Sequence, residues 1–238
     1  MSILLVSDLH YDLRQFDWVL ERADRHDLVV IAGDLLDIAS LVPVQAQIAA
    51  VSAFLRDLAA RSTVAACSGN HDLDRRRDDG EKETRWLLDL DIDGLHVDGT
   101  DFRFGELLVS VLAWWEGDRT RALIERQLAA AEPADSSRWL WIYHSPPEGA
   151  LSWTGARHFG DGIGAEWIDR YQPGFVLCGH IHQSPFTDVG SWCERRGRTW
   201  VFNAGRERSD APVHVEIDLE AGEASWVSRE HREQVALA

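Results

Sequence analysis

Short apolar runs and amphipathic stretches alternate along the first third of the chain. Ile3–Val6, Leu28–Ala32 and Thr63–Cys67 are continuous apolar runs, too short for helices, and read as strands buried on both faces. Between them, Arg14–Arg25 carries Phe16, Val19, Leu20 and Ala23 at helical spacing, and Pro43 opens a second helix reaching about Ala60. Strand, helix, strand, helix, strand is the order of an open α/β sheet, whose ligands gather at the carboxyl ends of the strands.

The remainder is more punctuated. Leu73–Gly80 is densely charged and reads as a solvated loop, followed by a short helix near Glu81–Leu90. Strands are expected at Leu95–Val97, Phe102–Phe104, Leu107–Leu112 and Trp139–Tyr143, with an amphipathic helix over Arg119–Ala131 that Pro133 closes. Ser145–Gly164 is rich in Pro and Gly and long for a plain connection, which suits a substrate-binding loop. Helix Ala165–Tyr171 and strand Phe175–Cys178 follow, then antiparallel strands at Thr199–Phe202, Val213–Leu219 and Ala224–Val227 with a turn at Ala221-Gly222. With no linker or repeat, residues 1–238 are expected to form one domain of class α/β: two packed sheets with helices outside.

Composition narrows the function more than the fold. A formal charge of -16 argues against non-specific nucleic-acid binding, which needs a basic surface. It leaves a nucleotide substrate open, because bound divalent cations reverse the local field. Apolar runs are too short to span a bilayer, and Met1 leads straight into a strand without a basic leader, so a cytoplasmic, non-membrane protein is expected. The three cysteines lie far apart with no CxxC spacing, and read as packing residues in a reducing compartment.

Five polar blocks carry the chemistry. Asp8-Leu9-His10, Gly33-Asp34, Gly69-Asn70-His71-Asp72, His144 and Gly179-His180-Ile181-His182 each follow an apolar run, and strand alternation is expected to put Asp8 and His10 on one side. Together they offer Asp8, His10, Asp34, Asn70, His144, His180 and His182 as a mixed nitrogen–oxygen ligand set without thiolate. Such a set suits two divalent ions such as Mn, Fe or Zn. A hydroxide shared by two ions is a nucleophile at neutral pH, and the ions neutralise phosphate charge. His71, beside Asn70, is the candidate proton donor to the leaving oxygen, and Asp72 its candidate orienting partner.

These blocks, in this order, resemble the calcineurin-like metallophosphoesterase superfamily over Asp8–His182. The resemblance implies a four-layer α/β/β/α sandwich of two mixed sheets flanked by helices. It also implies that Asp8, His10 and His182 hold one ion, that Asn70, His144 and His180 hold the other, and that Asp34 bridges them. The protein-phosphatase form GDxVDRG is absent, since Gly33-Asp34 continues as Leu35-Leu36-Asp37-Ile38-Ala39. GNHD and His144-Ser145-Pro146-Pro147 look more like class III cyclic-nucleotide phosphodiesterases and the small metallophosphoesterase-domain proteins related to them. A phosphodiesterase acting on a small or cyclic nucleotide-type diester is therefore expected. A phosphomonoesterase or nucleotide-pyrophosphate hydrolase with the same site, and a silent metal-binding module, are the alternatives.

Other conspicuous residues take blander readings. His26, His96, His214 and His231 are read as core or surface residues, and Asp12 and Asp37 as caps. Trp153, Arg157 and His158 are candidates for a substrate pocket, although a Trp among eleven is more often packing. Asn203 is read equally as a turn residue or as one turning back toward the metals.

Overall fold

The computed structural model describes residues 1–237. Its first part runs β1 (Ser2–Val6), α1 (Leu13–Arg22), β2 (Leu28–Ala32), α2 (Val44–Ala59) and β3 (Thr63–Cys67). A small hairpin, β4 (Arg75–Arg76) and β5 (Lys82–Glu83), leads to α3 (Arg85–Leu88) and β6 (Leu95–Val97). The chain continues through β7 (Asp101–Phe104), β8 (Leu107–Val111), α4 (Asp118–Ala131), β9 (Trp139–Ile142), α5 (Gly162–Tyr171) and β10 (Phe175–Cys178). It ends in β11 (Cys193–Arg196), β12 (Thr199–Asn203), β13 (His214–Asp218), β14 (Glu223–Val227) and β15 (Arg232–Ala236).

Two mixed sheets result, ordered β15-β14-β13-β1-β2-β3-β6 and β11-β12-β10-β9-β8-β7. The strands at the centre of each run parallel, β1-β2-β3-β6 in one and β8-β9-β10-β12 in the other, so their carboxyl ends point the same way within each sheet. Alternation along the buried strands explains the layering. Leu28, Val30 and Ala32 of β2 meet Leu140 and Ile142 of β9 in the core between the sheets. Val29 and Ile31 face the other way, onto Phe16 and Val19 of α1 and Val51 and Leu55 of α2. Trp139 and Trp141 of β9 likewise turn outward onto Ile124 and Leu128 of α4 and Trp167 and Ile168 of α5. The expected four-layer α/β/β/α sandwich is what these three cores build. Asp12 caps α1, accepting from the Arg14 amide as expected of it.

Departures from the expected elements have local causes. The helix expected near Glu81–Leu90 shrinks to α3, because Lys82 and Glu83 instead pair with Arg76 and Arg75 across the hairpin. The Arg77 guanidinium, 2.5 Å from the Glu83 carboxylate, holds that hairpin closed. Strands β11 and β15 were not expected: both are sheet edges with mainly polar, exposed or half-exposed residues, so neither has an apolar run to announce it.

Asp98, just past β6, is buried, and its carboxylate accepts the Ser68 amide at 2.8 Å, tying the start of the Gly69–Asp72 loop to the sheet. Burial pushes this carboxyl up to about 6. Its folded pKa thus lies above the ordinary value near ~3.9, so the folded state binds the extra proton between those two values. Stability from this group is full below pH ~4 and falls as pH rises to about 6, by about 3 kcal/mol in all. Asp98→Asn keeps an acceptor for Ser68 and removes the charge. Denaturant unfolding should show Asp98→Asn more stable than the parent at pH 7.5, with the difference closing toward pH 4. An equal difference at both pH values would contradict the assignment.

Candidate metal centre

All five polar blocks lie just beyond strand carboxyl ends, and the two sheets bring those ends together. β1, β2 and β3 deliver Asp8 and His10, Asp34, and Asn70 and His71, whereas β9 and β10 deliver His144, His180 and His182. Strand alternation does not place Asp8 and His10, because β1 stops at Val6. The chain instead turns left-handed at Asp8 (φ 56°), His10 (φ 43°) and Tyr11 (φ 56°). Asp34 (φ 55°) and His180 (φ 70°) do the same, so among the described residues four of the six non-glycine positions with positive φ are expected ligands. That conformation is uncommon and costly for such residues. It is held by a backbone ladder in which the amides of Asp8, His10 and Tyr11 donate to the carbonyls of Gly33, Asp34 and Leu35.

Three groups of side chains converge closely enough to hold a cation: Asp8, His10 and His182; Asp34, His144 and His180; and His10, Asp34 and His71. In the first, His182 Nε2 lies 3.1 Å from Asp8 Oδ1 and 3.1 Å from His10 Nε2. Asp34 sits between the groups. Its Oδ1 accepts the His71 amide at 2.8 Å, while Oδ2 faces His144 Nε2 at 3.4 Å and His10 Nε2 at 3.7 Å. The His180 amide points at both oxygens of Asp8, at 3.2 and 3.0 Å. His144 Nδ1 lies 2.6 Å from the Ala32 carbonyl, which fixes its proton there and turns Nε2 toward Asp34.

The electrostatics suit cation binding. Burial lowers the His10 and His180 imidazoles to about 4, so both are neutral at neutral pH, the form a cation needs. Burial works against ionising Asp8 and Asp34, yet the facing histidines overcome it and hold both carboxyls below their ordinary value. Burial also opposes charge on His144, but Asp34 and Asp8 prevail and push that imidazole up to about 9. A proton on His144 thus answers carboxylate charge that a cation would answer instead. Among the proposed ligand atoms, Asn70 Oδ1 and His144 Nε2 are buried with no hydrogen-bond partner. Orphaned acceptors at the meeting point of two acidic groups fit a metal site and have no other evident use here.

His71 is part-exposed and packs edge-on against His10, ring centroids 4.4 Å apart. The partner expected for it was Asp72, and the structure corrects this. Asp72 is fully buried; its two oxygens accept the Gly69 and Leu36 amides at 2.8 and 2.9 Å, and burial with the nearby Asp34 charge pushes it up to about 8. It braces the loop instead. The groups facing His71 Nδ1 are the Ile38 amide at 3.4 Å and the Asp37 carboxylate at 3.9 Å. Asp37 also caps its own turn, accepting the Ala39 amide at 2.8 Å. Asn203 is fully buried and does not turn to the converging side chains: it donates to the Leu151 and Ile181 carbonyls, stapling the 180–182 block to the 145–164 loop.

A cavity of about 230 Å³ adjoins His180, walled by Trp114, Trp115, Tyr143 and Phe159. Trp114 packs against the rings of His180 and His144, at 5.2 and 5.6 Å, and Phe159 lies 5.9 Å from His180. Trp153 and His158, the residues expected at such a pocket, instead pack on each other at 5.0 Å and close a small turn. Arg157 reaches the cavity only indirectly, its guanidinium 5.3 Å from the Phe159 ring. Trp114 was missed, yet the rule that found the ligands would have found it, since it follows the carboxyl end of β8. Arg206, three residues past β12, was also missed; its amide donates to the His182 carbonyl and its charge helps keep His10 neutral.

The family model for calcineurin-like phosphoesterases matches residues 1–184. No curated protein sequence matches the chain. Among solved structures, TT1561 of Thermus thermophilus is similar with a TM-score of 0.60 at 17% identity, over 100% of this chain and 99% of that one. A dimetal phosphatase from Danio rerio gives 0.61 at 12% identity, over 100% and 99%. Yfce, a phosphoesterase from E. coli, gives 0.51 at 16% identity, over the whole of both chains. At these identities the likeness is one of fold.

Two glycines keep the site open. A Cβ on Gly33 (φ +86°) would stand 2.3 Å from His144 Nδ1, and one on Gly69 would stand 2.2 Å from Asp34 Oδ1. Gly33→Ala should therefore displace His144, cost at least ~1–3 kcal/mol of stability and reduce metal uptake. Gly222→Ala, where a Cβ meets nothing within 4 Å but φ is also positive (+68°), is the control for backbone strain alone. Metal titration of both variants checks this; equal metal uptake would show that the clearance above Gly33 is immaterial.

Proposed function

The chain belongs to the calcineurin-like phosphoesterase family, and from that premise we propose that it hydrolyses a phosphoric diester of small or cyclic nucleotide type with two bound divalent ions. The observation that carries the reading is the Asp34 carboxylate, whose Oδ2 faces one histidine of each group at 3.4 and 3.7 Å. Asp8, His10 and His182 would hold one ion, Asn70, His144 and His180 the other, with Asp34 shared. When bound, the ions would supply Lewis acidity toward phosphoryl oxygen and acidify water to a nucleophile at neutral pH. Since ligands come from both sheets, we read residues 1–238 as one catalytic unit.

The chain's own groups do the rest. The Ile38 amide donates to His71 Nδ1, so the neutral ring carries its proton on Nε2. That N–H is the donor for the leaving oxygen or for developing charge on the phosphoryl group. Trp114 and Phe159, beside the His180 ligand, offer aromatic faces to a planar group on the ester. This apolar wall favours a nucleotide-type diester over a compact monoester. The alternative, a monoesterase using the same site, draws on the Danio rerio neighbour, which is described as a dimetal phosphatase.

Purified protein should bind two equivalents of metal and cleave bis(p-nitrophenyl) phosphate faster than p-nitrophenyl phosphate. The reverse order would favour the monoesterase, and inertness toward both would sink the hydrolase reading. Asp34→Ala should lose metal and activity together. His71→Ala should keep its metal and slow turnover roughly 10²–10⁴-fold. Equal metal loss in the two variants would contradict the division of roles.

A further inference from the structure

Away from the ligand blocks, an open cleft of about 880 Å³ lies between α1, the 208–212 loop and strands β13–β15. Six arginines line it, from three separate parts of the chain: Arg14, Arg22 and Arg25, then Arg208, then Arg229 and Arg232. Only two carboxylates do, and both are engaged: Asp210 with Arg14 at 2.7 Å and Glu216 with Arg232 at 3.2 Å. Among the described residues, Arg22, Arg25, Arg208 and Arg229 have no carboxylate within ion-pair distance. This concentration of positive charge stands in a chain whose formal charge is -16.

The cleft walls are built. Buried Gln15 of α1 donates to the Glu207 and Ser209 carbonyls at 3.2 and 2.9 Å, pinning the loop that carries Arg208. Arg22 is laid over the Trp18 ring, 4.0 Å from its centroid, and Trp18 rests on buried His214. Guanidinium forks gathered around a concave surface bind phosphate groups bidentately. We propose that this cleft is a second binding site, separate from the metal centre, for a small ligand bearing several phosphate groups.

Two observations favour a small ligand over a nucleic-acid strand. The cleft's volume falls in the range of small-molecule sites, about 300–1,000 Å³. Screening confines each charge to roughly 8–10 Å, so a ligand inside the cleft meets the arginines, whereas a strand running beyond it leaves them for the remainder of a chain whose formal charge is -16.

The test needs no catalysis and no metal. Inorganic tripolyphosphate is titrated calorimetrically into the EDTA-treated full chain at low ionic strength, with orthophosphate and a single-stranded oligonucleotide as comparators. Tripolyphosphate should bind, orthophosphate at least ~10-fold more weakly, and Arg22→Glu/Arg229→Glu should weaken tripolyphosphate ~10-fold or more. The charge-matched Arg103→Glu/Arg126→Glu, whose arginines lie outside the cleft, and Asp34→Ala should bind as the parent does. Thermal melting confirms that each variant folds, and Arg22→Gln/Arg229→Gln replaces the reversal if that pair does not. No binding, equal weakening in both arginine pairs, or tighter binding of the oligonucleotide would overturn the proposal. Asp34→Ala and EDTA remove the metal centre from the experiment, so failure here leaves the hydrolase reading untouched.

Discussion

Everything at the centre of this molecule answers to two carboxylates buried among histidines. Asp8 and Asp34 are 0% and 2% exposed, which no isolated carboxylate tolerates. Each is satisfied by a backbone amide from another ligand block, His180 to Asp8 and His71 to Asp34, and by imidazoles. The blocks therefore cannot be placed independently. Moving any one of them leaves a buried charge uncompensated, a cost of several kcal/mol on the usual scale.

That interdependence accounts for the local backbone. A carboxylate can meet an amide from a neighbouring loop only if the loops turn tightly toward one another, which the left-handed residues Asp8, His10, Asp34 and His180 accomplish. Such strain persists only where the surroundings over-determine it. Here the surroundings are four layers packed on three apolar cores, and the ladder from Asp8, His10 and Tyr11 to the β2 loop transmits their rigidity to the site. The same tightness explains why Gly33 and Gly69 stand where a Cβ would enter His144 or Asp34.

How much of this was legible in the sequence depended on whether a residue's role followed from chain position or from contact. Continuous apolar runs located the buried strands, and polar blocks at their ends located all seven proposed ligands, because parallel strands carry their carboxyl ends to one place. Edge strands β11 and β15 stayed hidden, as their charged, exposed residues resemble loop. Asp72 looked like a partner for its neighbour His71, but adjacency in sequence says nothing about which way a side chain turns. Its oxygens are taken by Gly69 and Leu36, and the groups at His71 come from the loop after β2 instead. Trp153 took the packing role that a Trp among eleven favours, set against His158 in its own turn and not against the site.

Drawing the proposed ligands from two sheets has a consequence for stability. Asp8, His10, Asp34 and Asn70 hang from one sheet, and His144, His180 and His182 from the other, with a core of apolar side chains packed between. An apolar interface resists separation well but sets lateral register weakly, since hydrophobic burial is non-directional. The polar contacts across the top of the sandwich, Asp34 to His144 and Asp8 to the His180 amide, supply the missing direction. Ions held by both sheets would tighten that same register and bind the folded chain alone, so their occupancy adds to stability by mass action. The site is thus the joint of the sandwich as well as its proposed chemical centre, and the two uses reinforce each other.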